Sequence, residues 1–251
     1  MTGSIRVEDF ATTDVGLARA ANEDSHVSLP REQAWLVADG MGGHENGQFA
    51  SQAIVDAVAA TSLPEGLEAA CEELGNAVHA ANARIFAASQ DAGKMMGSTF
   101  VALVLRGDEF AVLWAGDSRA YLYRDRQLIP LTRDHSQVQE LLDRGLLDPE
   151  DLADHPMRHI LARAVGVEET LSIDAIRDRV RPNDLFLLSS DGLHGVIADD
   201  EIAAILDKSG SRSGEALVAA CLARGAPDNV TVILVHANEP TLLALAGEGS
   251  A

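Results

Sequence analysis

Short apolar runs alternate along the chain with longer stretches in which apolar side chains recur every three or four residues. The runs cover residues 34–38 (AWLVA), 98–105, 109–114, 119–123, 184–190 and 229–235. Each has strand length and is bounded by turn signals such as Asp39-Gly40 or Arg106-Gly107-Asp108, so each predicts a strand, mostly in hairpin order. Helical spacing appears over 47–61, at Phe49, Ala50, Ala53, Ile54, Ala57 and Val58. It returns at Leu67, Cys71, Leu74, Val78, Ala81 and Ile85, and again over 199–208 and 214–224. Strands in hairpin order with two pairs of helices predict antiparallel sheets with helices packed outside them. Residues 134–169 are more polar, with a short helical pattern at Val138, Leu141 and Leu142, and read as an insertion over one edge. No linker or repeat divides the chain, so a single domain is expected over 1–236. Residues 237–251 are small and weakly patterned and predict a frayed tail.

Composition narrows the function. Hydrophobic residues make up 47% of the 251 and charged residues 23%, which suits a folded globular protein. There are 39 acidic and 19 basic side chains, giving a net charge of −20. That balance argues against nucleic acid and against an anionic membrane surface, both of which need a basic footprint. All the basic residues except Lys94 and Lys208 are arginine, the better fork for oxyanions. Cys71 and Cys221 sit in helix-like apolar segments and predict free, buried thiols in a reducing compartment. The first residues, MTGSIRVEDFATTD, lack the basic flank and apolar stretch of a secretion signal, and no apolar run has membrane-spanning length. A soluble, cytoplasmic protein is the expectation.

The common nucleotide-binding, nucleophile-elbow and zinc-protease motifs are absent. His155 and His159 are four apart, but Pro156 lies between them and no cysteine cluster accompanies them, which argues against zinc. What stands out is the placement of carboxylates. Asp39, Asp117, Asp191 and Asp228 each sit at the end of, or just before, an apolar strand. One such aspartate is ordinarily a turn residue. Four of them would gather at one rim of a layered sheet, repelling one another unless protonated or neutralised by cations, and a hard divalent ion with oxygen ligands answers that repulsion. The segment Asp39-Gly-Met-Gly-Gly-His44 adds glycines that permit close backbone approach, so that the Gly40 carbonyl can serve as a ligand beside Asp39. Arg19 is a candidate phosphate fork, and Glu23 or Asp24 could join a metal site.

Read in order, ARAANEDSH, LVADGMGGHENG, GSTFVALVL, LWAGDSRAYLYR, LTRDHS, FLLSSDGL and APDNVTVILV resemble the motifs of metal-dependent Ser/Thr protein phosphatases, the protein phosphatase 2C class. The resemblance runs from about Asp14 to Val235 and is closest to short bacterial members consisting of the catalytic domain alone. It implies an α+β fold, a four-layer α-β-β-α sandwich of two antiparallel sheets with helices on both outer sides, and a binuclear Mn²⁺ or Mg²⁺ centre at one end. By the same resemblance Asp39 bridges the ions, Asp191 and Asp228 complete one site, and the Gly40 carbonyl, mostly with water, serves the other. The family's N-terminal acidic position falls on Glu23 and Asp24, one facing metal directly and the other through water. Asp117 matches the holder of a third, weaker ion beside Asp191, Arg19 the phosphate-binding arginine, and residues 134–169 the flap. Where many eukaryotic members carry a histidine after Asp-Gly, this chain has Met41, which leaves His44 or a metal-bound water as the acid for the leaving group.

The resemblance further implies hydrolysis of phosphoserine and phosphothreonine monoesters on proteins by a metal-activated water, opposing a Ser/Thr kinase; a monomer is the default expectation. Two rivals differ in class. A catalytically weak module that binds phosphoproteins or a kinase would lack a metal aspartate, and all are present. A structural Ca²⁺ domain would carry clustered D-x-D-x-D-G loops, and none occur.

Overall fold

The computed structural model describes residues 5–43, 45–151, 155–158, 160–209 and 213–238. Its strands are β1 (Arg6–Asp14), β2 (Asp24–Leu29), β3 (Ala34–Met41), β4 (Gly97–Ser98), β5 (Phe100–Arg106), β6 (Glu109–Ala115), β7 (Arg119–Arg124), β8 (Gln127–Pro130), β9 (Asp174–Arg179), β10 (Asp184–Ser189) and β11 (Val230–Asn238). The α-helices are α1 (Glu45–Ala59), α2 (Leu67–Ala92), α3 (Gln137–Asp143), α4 (Asp191–His194), α5 (Asp199–Ser209) and α6 (Ser213–Ala223). One antiparallel sheet runs β1-β11-β10-β7-β8 and the other β2-β3-β5-β6-β9, with β4 paired to β3.

The central strands are apolar at nearly every position because both faces of each sheet are covered. In β5, Val101, Leu103 and Leu105 point between the sheets, while Phe100, Ala102 and Val104 meet α1 and α2. In β11, Ile233, Val235 and Ala237 point between the sheets, while Val230, Val232 and Leu234 join the core under α4, α5 and α6. Three apolar layers thus separate four structural layers, which is the α-β-β-α sandwich expected. Truncating a fully buried member of the middle layer, such as Leu103 or Ile233, costs about 2–5 kcal/mol.

Four strands lie where periodicity predicts none: β1, β2, β8 and β9. All four are sheet edges, so one side of each is open and their sequences, such as RVEDFATTD and DAIRDR, carry charge instead of an apolar run. The predicted strand over 98–105 divides at Thr99 into β4 and β5. The last strand extends through Ala237 and Asn238, and residues 239–251 of the expected tail lie outside the described residues. Between β8 and β9 the polar segment holds α3, capped by Ser136, whose hydroxyl accepts from the Gln139 amide at 3.3 Å, and a single helical turn at Pro149–Asp151. No helix among the described residues is long and apolar enough to cross a membrane.

Candidate active site

The strand ends β3, β6, β10 and the start of β11 converge on one rim, where they line a cavity of about 940 Å³. Asp39, within β3, is held through its main chain. Its carbonyl accepts from the Thr99 amide at 2.8 Å and the Ser98 hydroxyl at 2.9 Å, and its amide donates to Thr99 Oγ1 at 3.2 Å. Thr99 Oγ1 also meets Ser118 Oγ at 2.6 Å, tying Asp39 to the loop that carries Asp117. Asp191 opens α4 two residues after the end of β10, and Asp228 lies two residues before the start of β11. Glu23, Asp39, Gly40, Asp117, Asp191 and Asp228 all line the cavity, as does Arg19.

Asn229 acts as the joint of this rim. Its Oδ1 accepts from the Glu23 amide at 2.8 Å, and its Nδ2 donates to the carbonyls of Val15 and Ala21 at 2.8 and 3.0 Å. One buried amide therefore sets the loop bearing Arg19, the main chain of Glu23 and the start of β11 relative to one another. The glycines expected to permit close approach do so at Gly40, where a Cβ would lie 2.1 Å from the Gly47 carbonyl oxygen. Gly42 and Gly43 instead take positive φ, 126° and 83°, which turns the chain from β3 toward α1.

The electrostatics are those of buried carboxylates that outnumber the arginines beside them. Burial lifts Asp39 well above the usual carboxylate range, and the charges of Asp24, Asp191, Asp117 and Asp228 push it further. Burial raises Asp117 to about 8, reinforced by Asp191 and Asp134. Asp24 pairs in register with Asp39 across β2 and β3. Burial raises it to about 7, although the hydroxyls of Thr231 and Ser190 donate to its Oδ2 at 2.7 and 2.8 Å and act the other way. Its Oδ1 is buried with no hydrogen-bond partner. Asp228 Oδ2 accepts from Arg19 Nη2 at 2.6 Å, and that bond is the main reason the Arg19 guanidinium is held above its ordinary value.

The two acidic neighbours of the N-terminal motif are therefore placed differently. Glu23 lines the cavity, whereas Asp24 does not, and its carboxylate is held by the hydroxyls of Ser190, just before α4, and Thr231, in β11. His44 lies outside the described residues, as does His159. Periodicity and motif reading did not single out Asn229, Thr99, Ser118, Ser190 or Thr231 as supports, since a neutral hydrogen-bonding side chain carries no charge pattern that marks it. Another part of the lining, including Arg158, Ile160 and Val167, comes from the segment 134–169 that the motif resemblance gives as the flap, and it continues to Ser172.

Among the described residues, no three His, Cys, Asp or Glu side chains form a ready-made ligand set for one ion. The donor chemistry nevertheless fits Mn²⁺ or Mg²⁺. The donors are all oxygen, they are anionic and mutually repelling, and one buried carboxylate oxygen beside them is unsatisfied.

The segment that adds Ala162 to the lining is tied to His135, whose carbonyl accepts from the Ala162 amide at 2.8 Å. The His135 amide donates to the Gly116 carbonyl at 2.9 Å, and the Gly116 amide donates to His135 Nδ1 at 3.1 Å. Nδ1 is thus the acceptor, which leaves the ring proton on Nε2, 3.2 Å from Asp174 Oδ2. The ring stacks on Trp114 at 6.0 Å between centroids, and burial holds the imidazole below its ordinary pKa.

Comparison with known proteins agrees with this geometry. The family model described as protein phosphatase 2C matches residues 18–224, stopping short of Asp228. The serine/threonine protein phosphatase PstP of Mycobacterium tuberculosis is 37% identical over 227 residues, 89% of this chain. The chain spans only 44% of that protein's length. The structure of PppA, described as a key regulatory component of the T6SS in Pseudomonas aeruginosa, superposes with a TM-score of 0.87 at 38% identity, covering 94% of this chain and 99% of that one. The catalytic domain of PstP in complex with 2 manganese ions superposes with a TM-score of 0.83 at 32% identity, covering 94% of this chain and all of that one.

Proposed function

The chain belongs to the protein phosphatase 2C family, and we propose that it hydrolyses phosphoserine and phosphothreonine monoesters on proteins with Mn²⁺ or Mg²⁺ at the acidic end of the cavity. The observation that carries this reading is the convergence of Glu23, Asp39, Asp117, Asp191 and Asp228 on one cavity that also presents Arg19. Asp39, Asp191, Asp228 and the Gly40 carbonyl, with Glu23, would hold two ions, the number in the PstP complex, and Asp117 a weaker third beside Asp191. Asp24 supports them without lining the cavity. Bound there, the ions would supply a water of lowered pKa and neutralise phosphoryl charge.

The residues of the chain do the rest. Arg19 captures the phosphoryl group. In the structure Nη2 is occupied by Asp228, so substrate binding means that the guanidinium shares or exchanges that carboxylate for phosphate oxygens. Water attacks phosphorus, the bond from phosphorus to the side-chain oxygen breaks, and the serine or threonine hydroxyl leaves with a proton supplied by His44 or by water. No covalent phosphoenzyme is required. The Asn229 joint and the Thr99–Ser118 link keep the carboxylates in place through the cycle, because they act on the Glu23 and Asp39 amides and on the Ser118 hydroxyl and not on the groups that react.

The partners implied are phosphorylated proteins and an opposing Ser/Thr kinase, with the chain acting as a cytoplasmic monomer. In the direct test, the chain with Mn²⁺ releases inorganic phosphate from phosphoserine and phosphothreonine peptides, and EDTA stops the release. No release in Mn²⁺ or Mg²⁺ would overturn the reading.

A further inference from the structure

The cavity is larger than a phosphate group requires, and besides its acidic residues it is lined by three exposed apolar side chains set among polar ones such as Arg158 and Glu168. Met95, Ile160 and Val167 stand there with 70%, 44% and 36% of their surface exposed. Val167 belongs to a turn over residues 166–169 that is not part of either sheet.

Asn82, on α2, holds that turn. It is 2% exposed, on a helix face otherwise made of Val78, Ala81 and Ile85. Its Oδ1 accepts from the Gly166 amide at 2.7 Å, and its Nδ2 donates to the carbonyls of Glu168 and Glu169, both at 3.1 Å. An amide this deeply buried is tolerated because all three bonds are made. The turn is also pressed against the helix. Gly166 has φ +85°, and a Cβ on it would come 2.1 Å from Ile85 Cγ2. On the other side, a Cβ on Gly97 would lie 2.9 Å from both Val167 Cγ2 and Met41 Cε. Contact therefore runs from α2 through the turn to Met41, two residues beyond Asp39.

We infer that Asn82 is a positioning residue for substrate recognition: it holds the 166–169 turn so that Val167, with Ile160 and Met95, forms an apolar subsite for the peptide residue beside the phosphorylated side chain. This rests on the phosphatase reading above. The occupant follows from continuity, since Met95, Ile160 and Val167 line the same cavity as the carboxylates that would receive the phosphate. Burying exposed apolar surface there favours an apolar neighbour over a polar one. Asn82 itself does not line the cavity and touches no substrate.

The test uses the 251-residue chain with Mn²⁺ and two probes, p-nitrophenyl phosphate and a short phosphothreonine peptide with leucine on each side of the phosphoresidue. Asn82→Ala raises the peptide KM about tenfold, while the peptide kcat and both constants for p-nitrophenyl phosphate stay within about twofold. Val167→Ala, which leaves the Asn82 bonds intact, raises the ratio of peptide KM to p-nitrophenyl phosphate KM about threefold. With glycine in place of the leucines, the variants and the parent have equal KM values for the peptide. Parallel losses on both probes in Asn82→Ala, or an unchanged KM ratio in Val167→Ala, would overturn the inference; the second outcome decides the matter even if Asn82→Ala does not fold. A parent chain inactive on both probes would instead overturn the phosphatase reading.

Discussion

Asp39 and Val167 face the same cavity, yet one stands on a strand and the other on a turn. Asp39 sits within β3, its neighbours buried on both faces, and its main chain is bonded on both sides to Ser98 and Thr99. Val167 sits in a loop held by one bridge between Ser98 and Val165 and by the side chain of Asn82. The acidic wall is therefore an extension of the sandwich, and any change in it is opposed by the core. The far wall is a separate segment held by the side chain of Asn82 and the carbonyl of His135. Such a division lets the chemistry stay rigid while the surface that meets the substrate can vary by loop substitution.

The largest effect is expected at Asp39. Asp39→Ala removes the carboxylate nearest the other four and lowers Mn²⁺-dependent turnover of p-nitrophenyl phosphate by about a thousandfold or more. Activity at the parent level in this variant would break the distinction between the two walls. Next comes Asn229→Ala, which leaves the Glu23 amide and the carbonyls of Val15 and Ala21 without their partner. Chemical denaturation is expected to read a loss of about 2–3 kcal/mol, large for a residue that carries no charge. Arg19→Ala is expected to raise KM for p-nitrophenyl phosphate about tenfold with a smaller change in kcat, because its role is capture.

The smallest effect is a pH dependence. Asp24 titrates at about 7 in the folded, metal-free chain and near 3.9 when unfolded, so the folded state binds the proton more tightly. Its contribution to stability is fully present below about pH 4 and is lost as pH rises through about 7. Asp117, raised to about 8, acts in the same direction. The melting temperature of the metal-free chain is expected to fall by several degrees between pH 5 and pH 8, and Asp24→Asn should flatten that slope. A melting temperature that rises over this window would contradict the burial of these carboxylates.

What the sequence made legible follows the same division. Every strand interior to a sheet, β3, β5, β6, β7, β10 and β11, was visible as an apolar run, since burial on both faces leaves no room for polar side chains. Every edge strand was missed, because one open side lets charged residues such as those of β1 and β9 stand where alternation would have shown. The carboxylates were legible from their places at strand ends, and the motif resemblance brought Glu23, Asp24 and Arg19 to the same site. The different placement of Glu23 and Asp24 was not, because it depends on which way two adjacent side chains point at the start of β2. Asn82 was invisible for another reason: it acts on a turn more than 80 residues away, and a single polar residue in an apolar helix stripe has no signature of its own.

The central claim is that the acidic wall is a cation site on which hydrolysis depends. Calorimetric titration of Mn²⁺ into the metal-free chain, with p-nitrophenyl phosphate turnover followed across the same concentrations, tests it most directly. The account predicts two ions bound to the parent chain, as in the PstP complex, turnover rising in step with their binding, and both lost together in Asp39→Asn. Equal Mn²⁺ binding by parent and variant, or turnover that is indifferent to Mn²⁺, would contradict it.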